Sequence, residues 1–444
     1  MRSNVCAFLA ILLCTSAAAR AFAAASLTPL GYLPGGSNSS ALGVSGNGSV
    51  VVGWSYSSAG IGSEAFRWTS GGGMVGLGFL PGGGNSEAYG VSTDGSVVVG
   101  FSYGQAFRWT SGGGMVGLGY LPGRTTSWAR GVSGHGSVVV GSSSSGTEAF
   151  RWTSGGGVVG LGYLPGRIYS VATAASGDGS TVVGWGQGSD FRYEAFRWTS
   201  GGGMVGLGYL PGGGIATDSI AFGVSGDGSV IVGRSSSASG GQAFRWTSDG
   251  GMVGLGNGVA YGVSGDGSVV VGVGGSGGAF YWTADGGMRA LRDVLLSHGV
   301  DPAADGWSSL GANGISADGS TIVGSGIRNG NTEAFVAVIP IEPSGPPGDY
   351  NEDGVVDAAD YVVWRKNNID GESGYNTWRA NFGATAAGAA AVAHSPTSVP
   401  EPATGALALL AVSGLLLDRR RSCADDDKAA VPRVSPSPVS AIHW

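Results

Sequence analysis

Apolar residues in this chain come in short runs bounded by glycine, and the runs repeat in a fixed order. Residues 74–110 hold one unit. Residues 74–80 form an apolar segment closed by Pro81 and a glycine run, which end a strand and begin a loop. Residues 88–92 read as a second strand, followed by a turn at Thr93, Asp94 and Gly95, because Asp-Gly supplies the positive φ angles of tight hairpins. Residues 96–100 hold a third strand, in which Val97, Val98 and Val99 do not alternate with polar residues, the mark of burial on both faces. Residues 106–110 form a fourth, with Phe107 and Trp109 on one face and Arg108 on the other.

The phrase GVSGNGSVVVG at residues 43–53 has close variants beginning at Gly90, Gly131, Ala174, Gly223, Gly262 and Gly314. Each is followed by AFRWT or a relative, beginning at Ala65, Ala106, Ala149, Ala195, Ala243, Ala279 and Ala334. A period of roughly 40–50 residues builds one four-stranded propeller blade. Counting from Leu27 to Ile339 gives seven units, so the predicted fold is all-β, a seven-bladed β-propeller over residues 26–341. The motifs leave open how the ring closes. Two copies depart from the pattern. The sixth lacks the Leu-Pro-Gly loop between Gly254 and Val259, which predicts a short first strand; the seventh replaces it with residues 288–310, where Leu291, Val294 and Leu295 recur at helical spacing and predict a small helix lying on the ring.

Composition agrees with many tight turns between buried strands: 89 of 444 residues are Gly and 12% are charged. A net charge of -7 gives no basic footprint, which argues against a nucleic-acid partner. Residues 1–25, with Arg2, an apolar stretch and small residues before Ser26, read as an export signal. Its removal would take Cys6 and Cys14 and leave Cys423 alone, so no intrachain disulfide is expected.

These phrases, in their order, resemble the extracellular repeats named HAF, from about Ser26 to Pro340, although Glu or Gln (Glu64, Gln105, Glu148, Glu194) stands where the His of that name would be. The resemblance implies a propeller-like repeat protein and no enzyme class. Arg67, Arg108, Arg151, Arg197 and Arg245 recur at one place and admit two readings, a cationic ring around a channel or side chains lying on their aromatic neighbours; the second is preferred, because a residue repeated in every unit belongs to the scaffold. Trp54, Trp128 and Trp185 are placed in variable loops, where they could stack on sugars or pack within the loops, the second being preferred. His135 falls at a hairpin tip, and His298 near Asp301 and Asp305; neither is read as a metal ligand. No paired carboxylates, Ser-His-Asp set or phosphate loop stands out, and no catalytic residue is assigned.

Composition changes after Pro340. Asp349 to Asp360 reads DYNEDGVVDAAD, with oxygen-bearing side chains at loop positions 1, 3, 5, 9 and 12 and Gly354 at position 6. Calcium needs such hard oxygen donors: Asp349, Asn351, Asp353, Asp357 and Asp360 through side chains, Val355 through its carbonyl, with Val356 pointing inward. Asp at position 12 and the helical AADYVVWRKN after it resemble a dockerin type I repeat, over residues 342–383. A second region keeps a helix-like YNTWRANFG without the Asp series, so the resemblance implies one calcium and puts cohesin in doubt as a partner. Tyr361, Trp364 and Trp378 are expected to form the core of this module.

Residues 384–398 are a linker. Val399-Pro400-Glu401-Pro402, an apolar stretch and Arg419 to Arg421 resemble the PEP-CTERM sorting signal over residues 399–421, which implies processing by exosortase and a transient C-terminal membrane helix in a Gram-negative bacterium. Residues 422–444 continue past that signal as a tail expected to be disordered. The function expected is a non-enzymatic binding or structural propeller at the cell surface or in the extracellular matrix, with extracellular polysaccharide as its possible ligand; the alternative is a carbohydrate-active enzyme or lectin.

Overall fold

A computed structural model describes residues 24–60, 62–144, 147–212 and 217–340 in one compact unit, and residues 346, 348–351, 353–367, 369 and 371–385 in a second. The expected export signal up to residue 23 and everything from residue 386, including the expected sorting signal and tail, lie outside the described residues.

The first unit is all-β apart from one helix. Five antiparallel sheets have four strands each and one has seven. In the first sheet the order is Ser39–Val44, Val51–Tyr56, Ser63–Thr69 and Gly73–Gly76, each strand paired with the next. The first strands of the four-stranded sheets and Ser219–Val224 contact one another in turn, Gly251–Val263 bridges Ser219–Val224 to Trp307–Ile315, and Trp307–Ile315 touches Ser39–Val44, which makes the arrangement a closed, propeller-like ring.

Sheets begin at a different point of the repeat from the unit read in the sequence. The segment after each AFRWT is the outermost strand of the same sheet: Phe66 pairs with Gly76 and Trp68 with Met74. Residues 74–110 therefore straddle two sheets. Closure follows from the same shift, because Ser26–Pro29 becomes the outermost strand of the last sheet, with Leu27 opposite Ala337 and Thr28 opposite Val336.

The sixth copy corrects the expectation of a short strand. With no loop to interrupt it, the chain runs as one 13-residue strand, Gly251–Val263, pairing first with Gly240–Thr247 and then with Val269–Gly274. Sharing this strand fuses two four-stranded units into the seven-stranded sheet. The inserted helix α1, Leu291–Ser297, forms as expected and buries Leu291, Val294 and Leu295 against Tyr281 and Trp307.

Each valine run packs both ways. Val98 lies with Val50, Val52 and Ala65 of the preceding sheet, whereas Val97 and Val99 lie with Ala129, Val139 and Phe150 of the following one. The Phe of every AFRWT-like phrase is essentially buried, from Phe66 at 0% to Phe280 at 2% exposed, which fixes these residues as core. Gly100, which ends a valine run, has no room for a side chain: a Cβ would overlap the carbonyl oxygen of Glu87 and lie 2.8 Å from the Phe107 ring.

The second unit contains α2, Ala358–Asn367, which spans the segment read as helical, and α3, Gly371–Asn381. Between them pack Tyr361, Trp364, Tyr375 and Trp378, with the rings of Tyr361 and Trp378 5.1 Å apart. Trp378 is buried and donates its Nε1–H to the carbonyl of Asp357 at 2.6 Å, so the expected aromatic core is present.

Candidate functional site

Most polar residues of the repeat are engaged in holding it together. Ser92 donates its hydroxyl to Asp94 Oδ1 at 2.6 Å and accepts the amide of Val97, while Asp94 also accepts the amide of Ser96. Gly95 completes this turn at a φ of 73°. The hydroxyl and amide donors hold the Asp94 carboxyl at a pKa of about 2, and the same donors around Asp178 act likewise. Glutamates before Ala-Phe serve the neighbouring loop: Glu64 accepts the amide of Gly78 at 3.1 Å, and Glu333 that of Gly31 at 3.1 Å.

The recurrent arginines sit on the third strand of their sheets, and none of them lines the central channel. Glu64 and Arg67, three residues apart on one strand, point to opposite faces, so the carboxylate does not pair with that arginine. Arg197 bonds Thr181 Oγ1 at 3.3 Å.

The channel is where the copies differ. In the innermost strand of each repeat the register slips by one residue after an Ala, before Gly in six copies, as at Ala41/Gly43 and Ala129/Gly131, and before Ala174 in the fourth, and the residue left unpaired is a β-bulge. Those seven residues, Leu42, Tyr89, Arg130, Thr173, Phe222, Tyr261 and Asn313, together with Trp185, line a channel of about 630 Å³. Among the described residues Arg130 is the one charged residue in that wall. Thr173 donates to the carbonyl of Ala221 in the next sheet at 2.9 Å, Asn313 to that of Ala41 at 2.9 Å, and Tyr89 to Glu87 at 2.7 Å. Sequence reasoning missed this set, although a signal existed: a position that varies between two nearly constant neighbours, Ala and Gly.

Trp54, Trp128 and Trp185 are on strands and not in loops. Trp54 belongs to Val51–Tyr56, Trp128 to Ser127–Val132 and Trp185 to Thr181–Gln187. Trp128 stacks on Phe101 of the preceding sheet at 5.2 Å, and Trp185 meets Tyr193 edge-on at 5.1 Å. Exposed aromatics instead lie at the ring face that carries the Leu-Pro-Gly loops, opposite the Ser-Asp-Gly turns, distributed over several sheets: Tyr56, Tyr103, Tyr120, Tyr163 and Phe191. Two of these are held in the left-handed region, Tyr103 at φ 46° and Phe191 at φ 60°, and they are the most exposed, at 63% and 78%.

His135 is at the expected hairpin tip, between Ser127–Val132 and Val138–Ser143. His298 caps α1, its Nδ1 2.8 Å from the carbonyl of Val294, while Asp301 bonds the amide of Ala303.

In the second unit, Asp349 and Asp360 enter the loop from its two ends. Asp360 is fully buried and accepts amides from Tyr350, Asn351 and Asp357; Asp349 accepts those of Asp353 and Gly354. Gly354 has a φ of 86°, as a tight loop requires, and Val356 is buried as expected. Asp353 accepts the amide of Val355, and Asp357 that of Ala359. The donors are all oxygen, which suits a hard cation, and their carboxylates face the loop's own amides. Among the described residues no three His, Cys, Asp or Glu side chains gather as a metal-binding group.

No family model matches the chain, and no curated protein matches it in sequence. Solved structures similar to it include TolB from Acinetobacter baumannii, at 15% identity and a TM-score of 0.36, covering 47% of this chain and 51% of that one. An oligogalacturonate lyase in complex with manganese is 12% identical with a TM-score of 0.49, covering 72% of this chain and 98% of that one. An oligogalacturonate lyase from Vibrio parahaemolyticus is 9% identical with a TM-score of 0.49, covering 72% and 99%. The chain spans about half the length of the TolB structure. Among the described residues no helix is long and apolar enough to cross a membrane.

Proposed function

We propose that this chain is a non-enzymatic, exported, seven-bladed propeller that binds extracellular polysaccharide across the face carrying the Leu-Pro-Gly loops. The observation that carries this reading is the exposure of aromatics along that face, two of them in strained backbone. Rigid aromatic faces stack on sugar rings with little loss of side-chain entropy, and a strained residue persists where its surroundings hold it. In the same reading, Asp349, Asn351, Asp353, Asp357 and Asp360, with the Val355 carbonyl, hold one calcium ion. That ion would stabilise the loop by joining its two ends. Export through residues 1–25 and exosortase processing at residues 399–421 would place the ring at the cell surface or in the matrix.

Affinity electrophoresis of the purified chain through gels containing acidic and neutral exopolysaccharides tests the proposal. Retardation by at least one polymer, reduced in Tyr103→Ser and Phe191→Ser, is expected. A mobility unchanged by every polymer would remove the binding role, and turnover of a polymer would replace it with the enzymatic alternative.

A further inference from the structure

The central channel carries a second inference, independent of the polysaccharide face. Arg130 enters it from a β-bulge and makes no hydrogen bond or ion pair among the described residues. No carboxylate lines the same wall. Arg130 is exposed to the solvent of the channel, and the protein around it lowers the pKa of its guanidinium while Tyr89 opposes that shift. Three of the other polar side chains of the wall have partners already: Thr173 and Asn313 bond carbonyls of neighbouring sheets, and Tyr89 bonds Glu87. Phe222 and Tyr261, two and three repeats further round the ring from Arg130, have their rings 5.1 Å apart, and Leu42 and Trp185 extend the apolar surface.

We infer that the channel binds a small monocarboxylate with an aromatic or otherwise flat apolar body. The carboxylate would take the guanidinium fork in two parallel hydrogen bonds. The body would lie against Phe222 and Tyr261 across the channel. One cation in the wall matches one negative charge. A sugar acid of similar size fits less well, because its hydroxyls would be taken from water into a wall whose hydrogen-bonding side chains are mostly engaged. A volume of about 630 Å³ admits a two-ring body with room for water.

Calorimetric titration of the full chain with 2-naphthoate, 2-naphthamide and glucuronate tests this. The expected result is one 2-naphthoate site per chain, with the neutral amide bound at least about tenfold more weakly and glucuronate silent at the same concentrations. Arg130→Gln should weaken 2-naphthoate by about tenfold or more, and Leu42→Trp, which keeps the cation but fills the channel, should weaken it as well. Naphthoate without heat up to its solubility limit, equal affinity for acid and amide, or glucuronate tighter than naphthoate would each overturn the inference. The comparison of acid with amide uses the unaltered chain, so it decides even where a variant fails to fold. Because the probes do not involve the Leu-Pro-Gly face, failure here leaves polysaccharide retention standing, and the reverse holds too.

Discussion

Ser86, in the first strand of one sheet, accepts the amide of Ala65, in the third strand of the sheet before it, at 2.9 Å, and donates its hydroxyl to the carbonyl of Gly78 at 2.7 Å. Ser39, Ser127, Ser170 and Ser219 repeat the bridge. These sites are fully buried, so removal of the hydroxyl strands an amide and a carbonyl away from water. Ser86→Ala is expected to destabilise the ring by about 1–3 kcal/mol, read as a lower midpoint in urea unfolding. An unmoved midpoint would mean that solvent reaches the interface.

The Asp-Gly turns predict an acid dependence. Asp94 and Asp178 have folded pKa values of about 2, below the ordinary 3.8, because hydroxyls and amides favour the charged form. A depressed pKa contributes stability that is present above the unfolded value and is lost as pH falls through the folded one. Resistance to urea should therefore fall between about pH 4 and about pH 2. Asp94→Asn with Asp178→Asn should flatten that fall without disrupting the turns, since Asn47 accepts the hydroxyl of Ser45 at 2.7 Å in the first copy. A pH profile identical to that of the unaltered chain would refute the assignment.

Much of the frame could be read in the sequence, for physical reasons that also define what could not. Three consecutive valines have one economical explanation, a strand buried on both faces, and Val97 to Val99 obey it. Leu291, Val294 and Leu295 set the face of α1 through their spacing alone. A period, however, has no starting point. Nothing in the repeat marks which connection turns within a sheet and which crosses to the next, so Met74 was assigned forward although its strand pairs backward with Trp68. The channel set stayed hidden because alternation assigns faces on the premise that no residue is skipped, and each bulge skips one. The oxygen donors from Asp349 to Asp360 were legible as a loop with a glycine turn, whereas the direction of each carboxylate needed coordinates.

Tyr103 and Asn329 occupy matching places, each just before a glycine with positive φ in a hairpin tip. Asn tolerates the left-handed region better than Tyr does, since its short polar side chain bonds locally. Tyr103→Asn is expected to raise stability by about 0.5–1 kcal/mol, seen as a higher unfolding temperature, and to reduce retention by polysaccharide in the same preparation. A variant that gains stability and keeps full retention would exclude Tyr103 from the contact.

Calcium should produce one calorimetric transition per full chain, abolished by Asp353→Ala. The unfolding temperature of the aromatic cluster around Trp378, followed by near-ultraviolet dichroism, should fall on chelation. A titration without heat would withdraw the metal from the second unit.

The latch formed by Ser26–Pro29 and Asn331–Val338 joins the beginning of the ring to its last strand. Loop closure over such a span is slow relative to hairpin formation, and its partner strand is among the last of the ring to be made. Until then the Asn331–Val338 edge stays unpaired and the Leu27 side of the core stays wet. In a chain threaded through a membrane from its N-terminus, the first residues to emerge would have to wait for nearly the whole ring to follow. In such a chain ring assembly would be timed by the end of transport, and one stalled in transit would present an open strand edge to any partner able to hold it.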